Sequence, residues 1–328
     1  MKNNIHLKIS VIKKSQRHLI ALFSLCCFSN ANAANLFPED IYLTLKDSGQ
    51  IAKYAGPAIW QANPVMLYNS ITSDGKRLVV SSPKQASIYV FDTSSGKQLA
   101  AIPVGKASKG LKISPNDQEV YVANEGAASV SVVDLNKYQV VATISVEEMP
   151  HNIRFSDDGK IAYVTLQGGA GLGVIDTQTR QVVKVIPTPG LIGPHNLDLS
   201  KDGKTAFIRD TSNSVGVLDL KSGQMKKVID VGQGHAGIDV SPNGKLVFTG
   251  AIADDIVTVI DATSLEVIKK IKVGFGPHGV RTSKDNRWLY VVVTADDQLY
   301  VIDTKTLEVA KTFSIASFPF WIAVNGNP

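Results

Sequence analysis

Hydrophobic and polar positions follow a period of about 42 residues along most of the chain. Short runs of Val, Ile, Leu and Tyr end in an aspartate, and successive aspartates are 42, 42, 43, 42 and 42 residues apart. These aspartates are Asp92, Asp134, Asp176, Asp219, Asp261 and Asp303. A repeat of this length is typical of folds in which each unit buries a face against the next.

A second marker recurs with the same period and predicts a tight turn in every unit. It is a serine followed by Asp-Gly, Asn-Gly or a close variant, as in Ser156-Asp-Asp-Gly-Lys160 and Ser241-Pro-Asn-Gly-Lys245. Such pairs accept the positive φ angles of a two-residue hairpin. Between the markers lie short β-branched runs such as 119–122, 130–133 and 140–144, so each unit is predicted to contain four strands and no helix.

Four-stranded units of this size are typical of β-propeller blades. Six repeats lie near 66–105, 106–146, 147–189, 190–231, 232–273 and 274–315. Residues 316–328 match the opening of a unit, and residues 35–60 match its later part, with 41–45 as a third strand and 50–54 as a fourth. The prediction is an all-β, seven-bladed β-propeller of four-stranded blades, spanning 34–328, whose last blade is closed by both termini. Rings of six or eight blades are the alternatives.

The first 33 residues have the pattern of a cleavable export signal. Five basic residues precede an apolar run at 19–28, and Ala31-Asn-Ala33 supplies the small residues that a signal peptidase requires. The run is too short to span a membrane. We therefore expect cleavage after Ala33 and a periplasmic protein with no transmembrane span, export beyond the periplasm being the alternative.

Removal of this segment changes the composition that bears on function. Both cysteines, Cys26 and Cys27, lie within it, so the remaining chain forms no disulfide and offers no thiolate. Of the 34 basic residues five are removed, which leaves 29 against 29 acidic residues. The basic surface expected of a nucleic-acid-binding protein is therefore not predicted.

The repeats resemble a known family. Tyr121-Val-Ala-Asn124, Tyr163-Val-Thr-Leu166 and Tyr290-Val-Val-Val293, each between a turn and a Val-Val-Asp or Val-Ile-Asp, are similar to the YVTN family of β-propeller repeats. This resemblance implies an exported seven-bladed propeller, in a family with many members of unassigned activity. A more distant similarity, to the haem-carrying propeller of periplasmic cytochrome-type nitrite reductases, implies histidines over a tetrapyrrole but assigns no particular histidine to a ligand.

All histidines outside the export signal occupy the same place in the repeat. They lie in a turn before the innermost strand of a blade, which predicts that they surround one mouth of the central channel; they are His151, His195, His235 and His278. The equivalent positions around the ring are Tyr68, Lys109, His151, His195, Ala236, His278 and Phe320, with His235 displaced by one residue. The loops between second and third strands, including 124–128, are predicted at the same mouth.

Three interpretations of these histidines arise from the chemistry of imidazole. Neutral imidazole is a common ligand of transition metals and haem iron, so the four are candidate metal or haem ligands. Alternatively, each histidine hydrogen-bonds the backbone of a repeated turn, or the group contacts an organic ligand directly. The sequence does not identify a cofactor; a transition metal and haem are the candidates.

A second ring of candidate residues lies two positions into each innermost strand. Five neighbouring blades carry a charge there, in the residues Lys112, Arg154, Asp198, Asp239 and Arg281. Because buried charges must be paired, Arg154 is expected to contact Asp198, and Asp239 to contact Arg281. The alternatives are ion pairs around a watery channel and an anion or polar ligand held beneath the histidines. Tyr68, Lys109, Arg154, Asp198, Asp239 and Arg281 are therefore the candidate ligand-binding residues.

The sequence contains neither Gly-x-Ser-x-Gly nor His-Glu-x-x-His, so a binding role is favoured over an enzymatic one, which stays open. The main hypothesis is an exported, non-catalytic binding or scaffold propeller whose histidine-bearing mouth receives a small molecule, a metal or an exported protein. The alternative is a periplasmic haem- or metal-dependent redox protein that uses some of the four histidines. The sequence does not identify the ligand or the oligomeric state.

Overall fold

The structure is a closed ring of seven four-stranded antiparallel sheets. It is a computed structural model that describes residues 36–54, 58–62, 65–169, 171–315 and 318–327. The predicted all-β, seven-bladed propeller is confirmed, including the blade shared by both termini. The predicted export signal at 1–33 lies outside the described residues.

Blades 1 to 3 follow one another directly along the chain. Blade 1 contains β4 (Asn69–Ile71), β5 (Arg77–Ser82), β6 (Ser87–Asp92) and β7 (Gln98–Pro103). Blade 2 contains β8 (Ser108–Ile113), β9 (Glu119–Asn124), β10 (Ser129–Asp134) and β11 (Gln139–Ser145), with a 3₁₀ helix at Glu125–Ala127. Blade 3 contains β12 (Pro150–Phe155), β13 (Ile161–Leu166), β14 (Gly171–Asp176) and β15 (Gln181–Pro187).

Blades 4 to 6 repeat this order. Blade 4 contains β16 (Pro194–Leu199), β17 (Thr205–Asp210), β18 (Ser214–Asp219) and β19 (Met225–Asp230). Blade 5 contains β20 (Ile238–Val240), β21 (Leu246–Ala251), β22 (Ile256–Asp261) and β23 (Val267–Lys272). Blade 6 contains β24 (Pro277–Thr282), β25 (Trp288–Val293), β26 (Gln298–Asp303) and β27 (Glu308–Ser314).

Blade 7 joins the two ends of the chain in the order β28 (Pro319–Val324), β1 (Ile41–Leu45), β2 (Gln50–Tyr54) and β3 (Ala58–Gln61). The matching of 41–45 to a third strand and 50–54 to a fourth is wrong, because these are the second and third strands. Phe37 lies before the first strand and packs against Tyr54, Tyr290 and Phe313. The fourth strand is supplied by residues 58–61, which the repeat pattern did not single out.

The hydrophobic core lies between the blades. Each of seven buried clusters combines side chains from two adjacent blades; in one, Tyr121 and Val132 of blade 2 pack against Ile153 and Val164 of blade 3. The cluster that closes the ring lies between blades 7 and 1 and includes Tyr42, Trp60 and Phe91. Burial between blades explains why no single repeat can be stable alone and why the ring closes.

The repeated serine and aspartate markers form turns. Ser156 Oγ donates to Asp158 Oδ1 at 2.8 Å, and Gly159 has a φ of 69°, as the hairpin prediction requires. The aspartate that ends each third strand accepts a hydrogen bond from a backbone N–H in the following turn, as Asp176 does from Thr179 at 2.7 Å. The conspicuous periodic aspartates therefore stabilise turns and do not contribute to a site.

Candidate functional site

Three of the four candidate histidines lie inside the innermost strands, and not in the turn before them as the sequence suggested. His151, His195 and His278 are the second residues of β12, β16 and β24. The strand begins earlier because the preceding proline already pairs with the second strand, for example Pro150 with Leu166. The pairing register then shifts just past the proline, and such a bulge re-aims a side chain. His235 differs because β20 begins only at Ile238.

The structure brings the four histidines together at one mouth of the channel. Their ring centroids are 3.7 Å apart for His151 and His195, 4.7 Å for His195 and His235, and 5.4 Å for His235 and His278. Phe320 continues the series at 4.1 Å from His278. We call the four histidines, together with Tyr68 and Lys109, the histidine mouth. The histidine mouth combines residues that are far apart in sequence. They come together because the first strands of neighbouring blades contact one another around the ring.

Glycines in the innermost strands permit this close approach. A Cβ atom at Gly279 would lie 3.1 Å from the Cα of Trp321, and one at Gly110 would lie 2.5 Å from the carbonyl oxygen of His151. Both distances are below ordinary van der Waals contact. The inner strands of neighbouring blades therefore pack backbone to backbone beside the histidines, which fixes their positions.

His151 has partners for both ring nitrogens. Its Nε2 lies 2.7 Å from the hydroxyl of Tyr68, and its Nδ1 lies 3.2 Å from Glu125 Oε2, which is also 3.6 Å from Lys109 Nζ. The carboxylate favours a proton on Nδ1, and Nε2 then accepts from Tyr68. Burial is the main cause that lowers the pKa of His151, and Glu125 opposes it. Sequence reasoning missed Glu125 as a partner, although it placed the loop 124–128 at this mouth.

His195 also has a tautomer set by a neighbour. Asn196 Nδ2 donates to His195 Nδ1 at 2.8 Å and to the carbonyl oxygen of Ala236 at 2.8 Å. A neutral ring that accepts at Nδ1 carries its proton on Nε2. Burial, followed by the neighbouring histidines, lowers the pKa of His195 well below its usual value. The ring is therefore neutral at pH 7 and presents a donor.

His278 presents an unpartnered acceptor. Its Nδ1 donates to the carbonyl oxygen of Phe320 at 3.0 Å, so Nε2 carries the lone pair. That Nε2 atom is buried and has no hydrogen-bond partner in the described part of the chain. Burial lowers the pKa of His278 to about 3, so the ring is neutral at pH 7. The hydrogen bond to a backbone carbonyl is the arrangement that orients histidine ligands of metals.

His235 lies beside His278, in the loop that precedes β20. Its ring stands at 85° to that of His278, and burial lowers its pKa to about 4. Gly232 and Gly234, with φ angles of 99° and 84°, precede it in the loop. Within the described ranges His235 forms no hydrogen bond. The loop itself is anchored by Arg209, whose guanidinium donates to the carbonyl oxygens of Gly232 and Gly234, and by Asp254, which accepts from the N–H of Gln233.

The described residues contain no group of three or more His, Asp, Glu or Cys side chains arranged to hold a metal ion. This agrees with the separate roles of the four rings, since two have fixed partners and one has a free acceptor. The prediction that all four are metal ligands stays untested. What the arrangement offers is a single oriented imidazole nitrogen rather than a preformed set of three ligands.

The rim of the histidine mouth exposes apolar side chains. Met149, Ile192 and Phe275 precede His151, His195 and His278 by two or three residues and are 37%, 66% and 65% exposed. Large exposed apolar groups beside buried polar side chains are typical of ligand or partner surfaces.

The charged ring lies further along the channel, toward its other end. Arg154 Nε is 3.0 Å from Asp198, and Arg281 is 2.7 Å from Asp239, so both expected pairs are present. A void of only about 10 Å³, lined by Tyr68 and Lys112 among others, lies between this ring and the histidine mouth. The two ends of the channel are therefore separate, and the structure does not place the charged candidates in contact with the histidines' open side.

Two protein families match parts of the chain. The family described as the Cytochrome D1 heme domain matches residues 157–273 and 201–319, and the YNCE-like β-propeller family matches residues 39–186. The chain is similar to haem-domain propellers. These matches confirm the resemblance to repeat propellers and the more distant one to a haem-carrying propeller. His195, His235 and His278 all lie in the part that matches the haem domain.

Two solved structures have the same fold. Hydrazine synthase of Kuenenia stuttgartiensis is 21% identical, with a TM-score of 0.74, over 83% of this chain and 93% of that one. A functionally unknown protein from Desulfotomaculum acetoxidans DSM 771 is 16% identical, with a TM-score of 0.76, over 88% of this chain and 100% of that one. No curated protein matches the chain. No helix among the described residues is long and apolar enough to cross a membrane.

Proposed function

We propose that the protein is an exported binding propeller that receives a haem-type ligand at the histidine mouth, with His278 Nε2 as the protein ligand of the iron. The observation that carries this proposal is the buried, unpartnered Nε2 of His278. Leaving a buried acceptor unpaired costs about 1–3 kcal/mol, so a partner that the chain does not itself supply is favoured there.

The residues present fit haem better than a bare metal ion. A haem iron needs one or two protein ligands, because its macrocycle supplies the other four. A mononuclear metal ion needs three or four protein ligands, and the described residues arrange no such group. The exposed Met149, Ile192 and Phe275 suit the apolar edges of a tetrapyrrole. The match to the Cytochrome D1 heme domain supports the same ligand class.

Each residue has a defined part in this proposal. His278 holds the iron, and the carbonyl oxygen of Phe320 orients its ring through Nδ1. The ring of His235, whose centroid lies 5.4 Å from that of His278, borders the site. The pair of Tyr68 and His151 closes the floor of the mouth. When bound, haem would supply a centre for electron transfer or for binding a small molecule.

A redox protein is the second candidate, and it rests on the match to the haem domain alone. Both the redox protein and the binding protein would bind haem at the histidine mouth. They differ in what happens to the haem after it is bound. A bound haem that cycles between ferric and ferrous states with a physiological electron donor favours the redox protein. A bound haem released unchanged to another exported protein favours the binding protein.

Haem titration tests the proposal. Ferric haem is added to the chain that begins at Ala34, the expected product of export, and the Soret absorbance is followed. We expect saturation at one haem per chain, and His278→Ala is expected to weaken binding at least tenfold because it removes the iron ligand. His195→Gln is the matched control, since it alters a buried neighbour that offers no free acceptor. Equal affinity in His278→Ala, or no saturable binding to the wild type, would contradict the proposal.

A further inference from the structure

The second mouth of the channel contains a cavity that the haem proposal does not use. The innermost strands run from the histidine mouth toward the repeated turn serines, so the cavity lined by Ser114, Ser156, Ser200 and Ser241 opens at the opposite face. We call it the serine mouth. Its volume is about 450 Å³, within the range of small-molecule sites and far above the roughly 30 Å³ of one water molecule.

The charged ring forms the inner wall of the serine mouth, and its charges do not balance. The three cations are Lys112, Arg154 and Arg281, whereas the two anions are Asp198 and Asp239. Asp198 lies 3.0 Å from Arg154 and 3.9 Å from Arg281, and Asp239 lies 2.7 Å from Arg281. The ring therefore has one more cation than carboxylates, while Asp117, Asp157 and Lys201 also line the mouth.

Both carboxylates also accept hydrogen bonds from backbone N–H groups. Asp198 accepts from the N–H of Val240 at 2.9 Å, and Asp239 accepts from the N–H and hydroxyl of Thr282 at 2.8 and 2.6 Å. Neither is therefore free to turn toward Lys112. Among the described residues no ion pair joins Lys112 to an acidic side chain.

Arg281 supplies a second, independent sign of a missing anion. The residue is only 5% exposed, and its Nε has no hydrogen-bond partner in the described part of the chain. Lys112 and Arg281 line both the serine mouth and the small void beneath it. Burial, followed by repulsion from Arg154 and Arg281, lowers the pKa of Lys112 well below its usual value. An anion beside these groups would relieve that repulsion and satisfy the open donor.

The rest of the lining indicates the kind of anion. Ile113, Phe155 and Val240 contribute apolar surface next to the cations, and the turn serines contribute hydroxyl groups. An inorganic ion would leave most of the volume and all of this apolar surface unused. A molecule with one carboxylate and a small apolar body uses both.

We propose that the serine mouth binds a small organic monocarboxylate, whose carboxylate contacts Lys112 and Arg281 and whose body packs against Phe155 and Val240. This site is independent of the haem proposal, because the floor of Tyr68 and Asn152 separates the two mouths. It gives the propeller two ligand-binding ends of different chemistry.

Calorimetric titration with benzoate, acetate and inorganic phosphate tests this site. Benzoate is expected to bind with millimolar affinity or better. It should bind more tightly than acetate and phosphate, because it is the one of the three with an apolar body that can pack against the apolar side chains of the cavity. Lys112→Met removes the charge but keeps a long unbranched side chain, and it is expected to weaken the binding of benzoate at least tenfold. Lys201→Met, at an exposed lysine of the same mouth, is the matched control and is expected to change the affinity less than twofold.

Three results would overturn the proposal: no saturable binding of benzoate, equal losses in Lys112→Met and Lys201→Met, or tighter binding of phosphate. His278→Ala is expected to leave benzoate binding unchanged, so failure of the haem proposal is distinguishable from failure of this one. Should Lys112→Met not fold, amide NMR of the wild type decides the question. Benzoate should then shift the signals of Phe155, Val240 and Arg281, and shifts confined to other regions would contradict the site.

Discussion

At the scale of single residues, the four histidines have the same origin in the repeat but different chemistry. His151 is held by Tyr68 and Glu125, His195 by Asn196, and His278 by the carbonyl of Phe320. The sequence predicted their common register, because register repeats with the blade. It could not predict their partners, since Tyr68 is 83 residues from His151 and Phe320 is 42 residues from His278.

The buried histidines predict a dependence of stability on pH. Burial lowers the pKa of His278 from 6.5 to about 3, so between these values the unfolded chain binds more protons than the folded one. The free energy of unfolding should therefore fall as the pH falls from 6.5 toward 3, by about 2 kcal/mol at pH 5 from this residue.

Denaturant titrations at pH 7 and pH 5 measure this effect. His278→Gln removes the titrating group and should lose less stability than the wild type over the same interval. The difference between the two proteins isolates His278 from the other titrating groups. An identical loss in both would show that His278 is not buried in its neutral form.

At the scale of strands, the hydrophobic pattern was sufficient for most blades and insufficient at the ends of the chain. Strands β4 to β27 follow markers that recur with every unit. The terminal blade lacks a turn serine between its first two strands, since these come from opposite ends of the chain, and the strand order was therefore misassigned. The register shift after each proline was also missed, because a bulge depends on pairing with the neighbouring strand and not on local sequence.

The terminal blade is expected to control the stability of the ring. Ile322 of β28 is 1% exposed and packs in the cluster between blades 6 and 7. Ile322→Ala should lower the free energy of unfolding by about 2–5 kcal/mol. Val309→Ala, on the exposed outer strand β27, is the control and should cost less than about 1 kcal/mol. Thermal or denaturant unfolding compares the two, and similar losses would argue against closure through β28.

At the scale of the whole molecule, closure of the ring creates the candidate sites. No blade contains a site by itself: the histidine mouth takes side chains from six blades, and the charged ring of the serine mouth from five. The sequence predicted that such rings exist, because the same position of every repeat must face the channel. It could not predict that the channel is blocked between them, since the block depends on how Tyr68 packs against Trp321 and His151 across the axis.

A crystal structure of the protein grown with ferric haem decides whether the histidine mouth is a haem site. We predict one haem at this mouth, with its iron bonded to Nε2 of His278. A haem bound through another residue, a haem at the serine mouth, or a histidine mouth unchanged at saturating haem would contradict this prediction.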